Sequence, residues 1–287
     1  MKIYDLSDFC EIQSLPAGCC AALGNFDGVH MGHKALFKKA CESPLPAVCT
    51  FSVPAKPRDE STLFITDTAE RLRLFSACGI RFAVLLDFQS VRGLSPEEFT
   101  KSCLKEKLKL SGAVCGENYH FGAGGKGDAQ LLRTLCEKEG IFCTVIPSFL
   151  IDGRTVSSGE IRESVLSGDV ENARRFLGHP FSQVCTVIPP ESDACDCNIL
   201  PSVGLVFPGR GVFAAAVYEG KNTYPGAVYI GENNVGVKIF GFSGRISGGS
   251  VRLDFLGKIR SESCLPHNTE EDAAACTRIF CNYAERN

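Results

Sequence analysis

The 287-residue chain is 44% hydrophobic and 22% charged, with a formal net charge of -3 at pH 7. That is an ordinary globular composition, long enough for about two domains, and it offers no overall attraction to nucleic acid or to an anionic membrane. No apolar run approaches the roughly 20 residues of a membrane span, and Asp5, Asp8 and Glu11 interrupt the N-terminal segment before a signal-peptide core can form, so a cytoplasmic location is expected.

Taken in chain order, short apolar runs alternate with helical patterns over the first 180 residues. The strand candidates are GCCAALG (18–24), PAVCTF (46–51), IRFAVLLDF (80–88), GAVCGEN (112–118) and GIFCTVI (140–146). They are apolar on both sides, which suits a parallel sheet covered on both faces. Between them, SPEEFTKSCLKEKLKL opens with Ser95 as N-cap, Pro96 at the first helical position and Glu98 completing a capping box. A second helix runs from Asp128 to the stop signal at Gly140. Serial β–α units predict an α/β fold, a doubly wound, Rossmann-like parallel sheet. After Gly178 the runs GVFAAAVYEG, NTYPGAVYIG, VGVKIFGF and SVRLDFLGKIR are broken by Gly, Asn and Pro, as in a small antiparallel β-barrel, and a helix capped by Asn268 or Thr269 closes the chain. The expected division is residues 1–182 and 183–287.

The 16 cysteines include no C-x-x-C, and most lie inside apolar runs such as AVCTF. In a reducing compartment that placement reads as small buried core residues rather than disulfides or metal ligands.

Three stretches carry candidate chemistry. In LGNFDGVHMGH (23–33), a strand hands over to a turn and a helix, so His30 and His33 share one face of the first helical turn. Free N–H groups and the positive end of the dipole collect there, and the first strand-to-helix crossover of an open sheet is a natural ligand site. Gly32 removes a side chain where a ligand could approach the backbone. Spacing alone leaves phosphate chemistry and a solvated helix both open; zinc has no third ligand nearby. The second stretch, GENYHFGAGGKGD (116–128), satisfies G-x-G-x-x-G at Gly122, Gly124 and Gly127. It follows the fourth strand instead of the first and lacks the acidic partner of a dinucleotide fold, so a glycine loop beside a nucleotide pocket is the better reading. In the third, Ser157 and Ser158 precede a short helix whose first turn carries Arg162, a set of hydroxyls and a guanidinium suited to a triphosphate.

The string G-x-F-D-G-x-H-x-G-H resembles the signature of the H-x-G-H nucleotidyltransferase superfamily. With GENYHFG and SSGEIR added, the chain resembles the bacterial bifunctional riboflavin kinase/FAD synthetase family over nearly its full length. The resemblance implies an FMN adenylyltransferase: transfer of AMP from ATP to FMN with Mg²⁺, giving FAD and pyrophosphate, and no nucleic-acid or membrane partner. It implies catalytic roles for His30, His33 and Arg162, and nucleotide contacts from Gly24, Asn25, Phe26, Asp27, Gly32, Asn118, Ser157 and Ser158. Flavin contacts fall to Phe51, Pro57 and Phe121. The motifs name no metal ligand. Two departures stand out: Gly159 replaces the Thr of S-S-T, and Ala55 and Lys56 replace an aromatic–Pro–His–Pro-like pattern.

The barrel departs further from the family. Its kinase G-x-P-T-A-N segment is reduced to SDACDCNIL, with Asp196 at the Thr position and Asn198 retained. Its V-E-x-H strand matches VGVKIFGF, which puts Gly236 at the Glu and Lys238 at the His, with Glu232 the only nearby carboxylate. A hydroxyl nucleophile needs a positioned base, so loss of riboflavin kinase activity is expected. The competing readings are a bifunctional enzyme, a nucleotidyltransferase with another phosphorylated acceptor, a dinucleotide-binding oxidoreductase, and a non-catalytic flavin or nucleotide binder.

Overall fold

The computed structural model describes residues 1–6, 15–53, 63–188, 196–243, 246, 249–261 and 270–285. Two compact units are present: Met1–Thr62 with Asp67–Ser157, and Leu63–Thr66 with Ser158–Asn287.

The first unit contains β1 (Lys2–Leu6), β2 (Cys20–Leu23), α1 (Met31–Ala40), β3 (Pro46–Phe51), α2 (Thr68–Ala77), β4 (Phe82–Leu86), α3 (Phe88–Val91), α4 (Pro96–Glu98), β5 (Gly112–Gly116), α5 (Ala129–Lys138), β6 (Phe142–Ile146) and the small pair β7 (Leu150–Ile151) and β8 (Arg154–Thr155). Its main sheet has the order β1-β4-β3-β2-β5-β6, and every neighbouring pair is parallel. The five expected strands are all present. The sixth, β1, is an edge strand with no turn signal in front of it. It pairs only with β4, Lys2 opposite Phe82.

The crossovers run from β2 outward through β3 to β4, and the chain then returns to the other side of β2 as β5. The order therefore reverses at β2, and the loops after β2 and β5 flank the crevice where open parallel sheets take their ligands. Apolar residues cover both faces of this sheet. One face buries Ala21, Leu23, Cys49, Val84, Cys103 and Leu104; the other buries Ala22, Phe26, Phe37, Val48, Phe75 and Val114. Burial of each large side chain stabilises the fold by about 1.5–3 kcal/mol. The cysteines among the described residues are free thiols and most are buried, Cys19, Cys49, Cys103, Cys115, Cys136 and Cys143 in the first of these cores.

The second unit contains α6 (Ser158–Leu166), α7 (Val170–Leu177), β9 (Phe181–Ile188), β10 (Asp196–Leu200), β11 (Gly211–Glu219), β12 (Asn222–Ile230), β13 (Val235–Ile239), β14 (Ser250–Arg260) and α8 (Glu270–Ala284). The strands close an antiparallel barrel in the order β10-β13-β12-β11-β14-β9. Phe181, Phe213 and Phe255 pack within it, and Cys276 of α8 joins Val212, Ala214, Ala227 and Tyr229 in a second cluster. The short segment Leu63–Thr66 is bonded into this unit: the Phe64 N–H donates to Gly204 O at 2.9 Å, and Gln183 Nε2 donates to Ile65 O at 3.3 Å. The expected caps of α8, Asn268 and Thr269, lie outside the described residues. No helix among the described residues is long and apolar enough to cross a membrane.

The capping box at Ser95 forms as expected. Its Oγ accepts from the Glu98 N–H at 3.1 Å, and the Glu98 carboxylate accepts from the Ser95 N–H at 2.8 Å. Beyond α4 the helix widens into π-helical geometry over Phe99–Lys107. Ser95→Ala should cost about 1 kcal/mol of stability, read as a lowered urea midpoint with an unchanged slope.

Candidate functional site

The candidate site is built at the C-terminal end of β2. Residues 24–29 form a tight connection in which Phe26 (φ 54°) and Val29 (φ 46°) both adopt left-handed backbone. Such backbone costs a non-glycine residue about 1–3 kcal/mol and persists only where its surroundings over-determine it. Here the surroundings are aromatic. The Phe26 ring is buried and meets Phe37 at 4.9 Å and Phe75 at 5.9 Å between centroids, both edge-to-face. Gly24 makes room for it, since a Cβ there would come within 2.9 Å of the Phe26 ring.

His30 is the N-cap of α1, and its ring Nδ1 accepts from the His33 backbone N–H at 3.4 Å. That bond leaves Nδ1 as an acceptor and puts the proton of the neutral ring on Nε2. The His30 and His33 rings stack, with centroids 3.5 Å apart and planes 20° from parallel, and the edge of Phe26 completes the enclosure of His33 at 5.1 Å. A Cβ on Gly32 would lie 3.1 Å from the His30 ring. Gly32 thus clears space for the imidazole itself, a reason the sequence reading did not supply. Loss of hydration, and next the neighbouring His30 ring, hold the His33 pKa well below the ordinary 6.5. Its Nδ1 is buried without a hydrogen-bond partner. His33 is therefore neutral at neutral pH.

One residue of this site went unread in the sequence. Arg71, on α2, has no exposed surface, and its guanidinium gathers the backbone where β2 and β3 end. Nη1 donates to Asn25 O at 3.2 Å and Thr50 Oγ1 at 3.3 Å; Nη2 donates to Phe51 O at 3.0 Å, Ser52 O at 2.8 Å and Thr68 Oγ1 at 3.1 Å. Burial lowers its pKa to about 10, opposed by the charges of Asp27 and Asp67. Asp27 is itself buried. The signal that could have found Arg71 is a cation on the apolar stripe of α2, one turn before Leu74 and Phe75.

Asn118 lies in the turn after β5, on the other side of the crevice. Its Oδ1 would be 3.0 Å from a Cβ on Gly116. Gly24, Asn25, Phe26, Asp27 and His30 are thus carried by the loop after β2, Gly32 and His33 by the first turn of α1, and Asn118 by the loop after β5. Phe51 ends β3 with its ring against Phe88, centroids 5.2 Å apart. Pro57 lies outside the described residues. Phe121 is a buried core residue, stacked on Tyr119 and tilted against Phe99. It closes the glycine loop by exchanging backbone hydrogen bonds with Gly127, at 3.0 and 2.9 Å. Ser157 ends the first unit, whereas Ser158 and Arg162 belong to α6 of the second. Because α6 starts at Ser158 itself, Arg162 falls in its second turn and not in the first. Among the described residues no group of three His, Cys, Asp or Glu side chains could hold a metal ion.

Comparison with known proteins agrees with this geometry. A family model described as FAD synthetase matches residues 12–160, and one described as riboflavin kinase matches residues 195–270. The bifunctional riboflavin kinase/FMN adenylyltransferase of Escherichia coli is 28% identical over 218 residues, covering 71% of this chain and 70% of that one. An FAD synthetase of Listeria monocytogenes is 29% identical over 199 residues, covering 66% of this chain and 80% of its own. A chloroplastic FAD synthetase of Arabidopsis thaliana is 32% identical over 193 residues, covering 57% of this chain and 52% of that one. Among solved structures, one described as a macrolide-efflux protein from Streptococcus pneumoniae superimposes with a TM-score of 0.80 at 23% identity, over 99% of this chain and 98% of that one. At that identity the likeness is one of fold.

The depressed His33 pKa makes stability depend on pH. Below 6.5 the unfolded chain takes up a proton at residue 33 that the folded chain refuses. Stability should therefore fall as pH drops from 6.5 towards the lower folded value, and this contribution should be flat above 6.5. Melting temperatures of the native protein and of His33→Gln, taken across that range, should differ in slope, with the variant less sensitive to acid.

Proposed function

The chain belongs to the FAD synthetase family, and from that premise we propose that it transfers AMP from ATP to FMN through His30, His33 and Arg162. An FMN phosphate oxygen attacks the α-phosphorus of ATP. The bond to the β-phosphate breaks, pyrophosphate leaves, and FAD is formed. The attacking oxygen is already anionic, so the reaction needs no general base. What it needs is alignment and charge stabilisation at the α-phosphate.

The observation that carries the reading is the pair of stacked imidazoles at the start of α1, beside the strand where the sheet order reverses. A helix N-terminus presents free N–H groups to an anion, and with Nδ1 accepting from the His33 N–H, the His30 ring has Nε2 left as a donor. Asn25, Asp27, Gly24, Phe26 and Gly32 shape that loop for the nucleotide. Asn118 contributes from the loop after β5, while Ser157, Ser158 and Arg162 serve the phosphates. Phe51 and Pro57 belong to the flavin side. Phe121 acts there indirectly, through the glycine loop it closes. Mg²⁺ enters as the counter-ion of the ATP triphosphate. The enzyme works in the cytoplasm on small molecules alone, its synthetase part within residues 1–182 and its kinase-like barrel within 183–287.

The barrel has the fold of a riboflavin kinase module without its base. Gly236 on β13 stands opposite Asn198 on β10, and a Cβ there would meet only ordinary contacts at 3.7 and 3.8 Å, so space does not exclude a side chain. The nearby carboxylate of Glu232 is exposed and paired with Arg210 at 2.7 Å. Asp254 is occupied as well, accepting from Tyr218 at 2.9 Å and from Arg252 Nε at 3.1 Å.

Purified protein given ATP, Mg²⁺ and FMN should release FAD and pyrophosphate in equal amounts. Replacement of His30 or His33 by Ala should lower turnover about 100–1000-fold, the usual effect of losing one preorganised donor, in protein that remains folded by circular dichroism. Near-normal FAD formation by His33→Ala would rule out this role. With riboflavin in place of FMN, the native protein should produce no FMN, followed by chromatography of the flavins; robust FMN production would restore a kinase function to the barrel.

A further inference from the structure

Nothing in the adenylyl-transfer chemistry itself requires Arg71, yet it is the largest fully buried side chain among the described residues. An isolated buried guanidinium is strongly unfavourable unless its donors are satisfied and its charge is offset. Its acceptors are not scattered. Asn25 O belongs to the nucleotide loop immediately after β2, while Phe51 O and Ser52 O end β3 at the head of the expected flavin segment. Thr50 ties the two together, donating from Oγ1 to Asn25 O at 3.2 Å while accepting from Arg71. Past Leu23 and Cys49, the last paired residues of β2 and β3, the ladder stops and these carbonyls would otherwise diverge. The left-handed Phe26 follows Asn25 directly, so a displaced Asn25 carbonyl would release the backbone that presents His30 and His33.

We propose that Arg71 is a positioning residue for adenylyl transfer: by clamping Asn25 to the end of β3, it fixes the His30–His33 pair and the mouth of the flavin segment relative to each other. Arg71 touches no reacting atom. Its effect passes through the backbone of residue 25. The link to catalysis rests on the adenylyltransferase reading; the link to the histidine pair does not.

The two links call for separate measurements. Arg71→Lys keeps a cation but replaces a planar fork spanning five acceptors with a point donor. Its kcat should fall about 10–100-fold, the scale set by a displacement of about 1 Å at a reacting centre, while the ATP dissociation constant changes less than threefold. In histidine-resolved NMR titrations of the unliganded protein, the depressed His33 titration should move back towards 6.5 in the variant. Should Arg71→Lys fail to fold, Thr50→Val carries the same test, with about a 3–10-fold loss of kcat and a smaller movement of the His33 titration in the same direction. Native titration and native kcat in a folded Arg71→Lys or Thr50→Val protein would overturn the proposal. A native protein that makes no FAD would instead sink the adenylyltransferase reading and leave the titration arm standing.

Discussion

A cation with no exposed surface at the junction of two strand ends is the constraint on which this site depends. Removing a guanidinium from water costs several kcal/mol unless its protons find acceptors and its charge is opposed. Arg71 meets these conditions at Nη1 and Nη2, with three backbone carbonyls, two threonine hydroxyls and the charges of Asp27 and Asp67 around it, while its Nε is buried without a partner. The converse is that those acceptors cannot move without exposing an uncompensated charge. Asn25 and the end of β3 are held as firmly as the cation is buried, and the turn between β2 and α1 inherits that rigidity.

The chemistry of the histidine pair follows from the same packing. The strained backbone at Phe26 and Val29 puts an aromatic edge over His33, and the absence of side chains at Gly24 and Gly32 lets the rings close together. Two imidazoles stacked at 3.5 Å cannot both carry charge cheaply, and burial already disfavours the cation at His33. On the proposed reading, a phosphate would meet His33 as a neutral ring beside the start of a helix. A site of that kind stabilises charge that grows during the reaction without being permanently charged itself.

The barrel is held together by packing that does not involve position 236. Its closure depends on six-strand pairing, on Phe181, Phe213 and Phe255 inside and on α8 over β11 and β12. None of these uses a side chain at Gly236, which pairs with Asn198. The remaining polar groups on β14 are committed to one another, with Asp254 held by Tyr218 and Arg252, and Arg252 also donating to Ser182 at 3.0 Å. Such a network supports packing.

Local patterns determined much of this protein from sequence alone. Double-sided apolar runs specified five of the six parallel strands, Gly- and Asn-broken runs specified β11 to β14, and the capping box at Ser95 formed as written. The spacing of His30 and His33 was enough to put both at one helix start. The edge strand β1 was not legible, because its partner β4 is distant in sequence, and neither were β9 and β10, whose outer partners β14 and β13 are likewise distant. Burial of Phe121 and the second-turn place of Arg162 likewise emerged only from the fold. Arg71 marks the boundary most sharply. Its bond to Asn25 joins residues 46 positions apart, and no local period or propensity encodes such a contact. Only a packed sheet, which brings the ends of β2 and β3 under α2 and removes water from between them, turns an arginine on a helix into a clamp on the loop before His30.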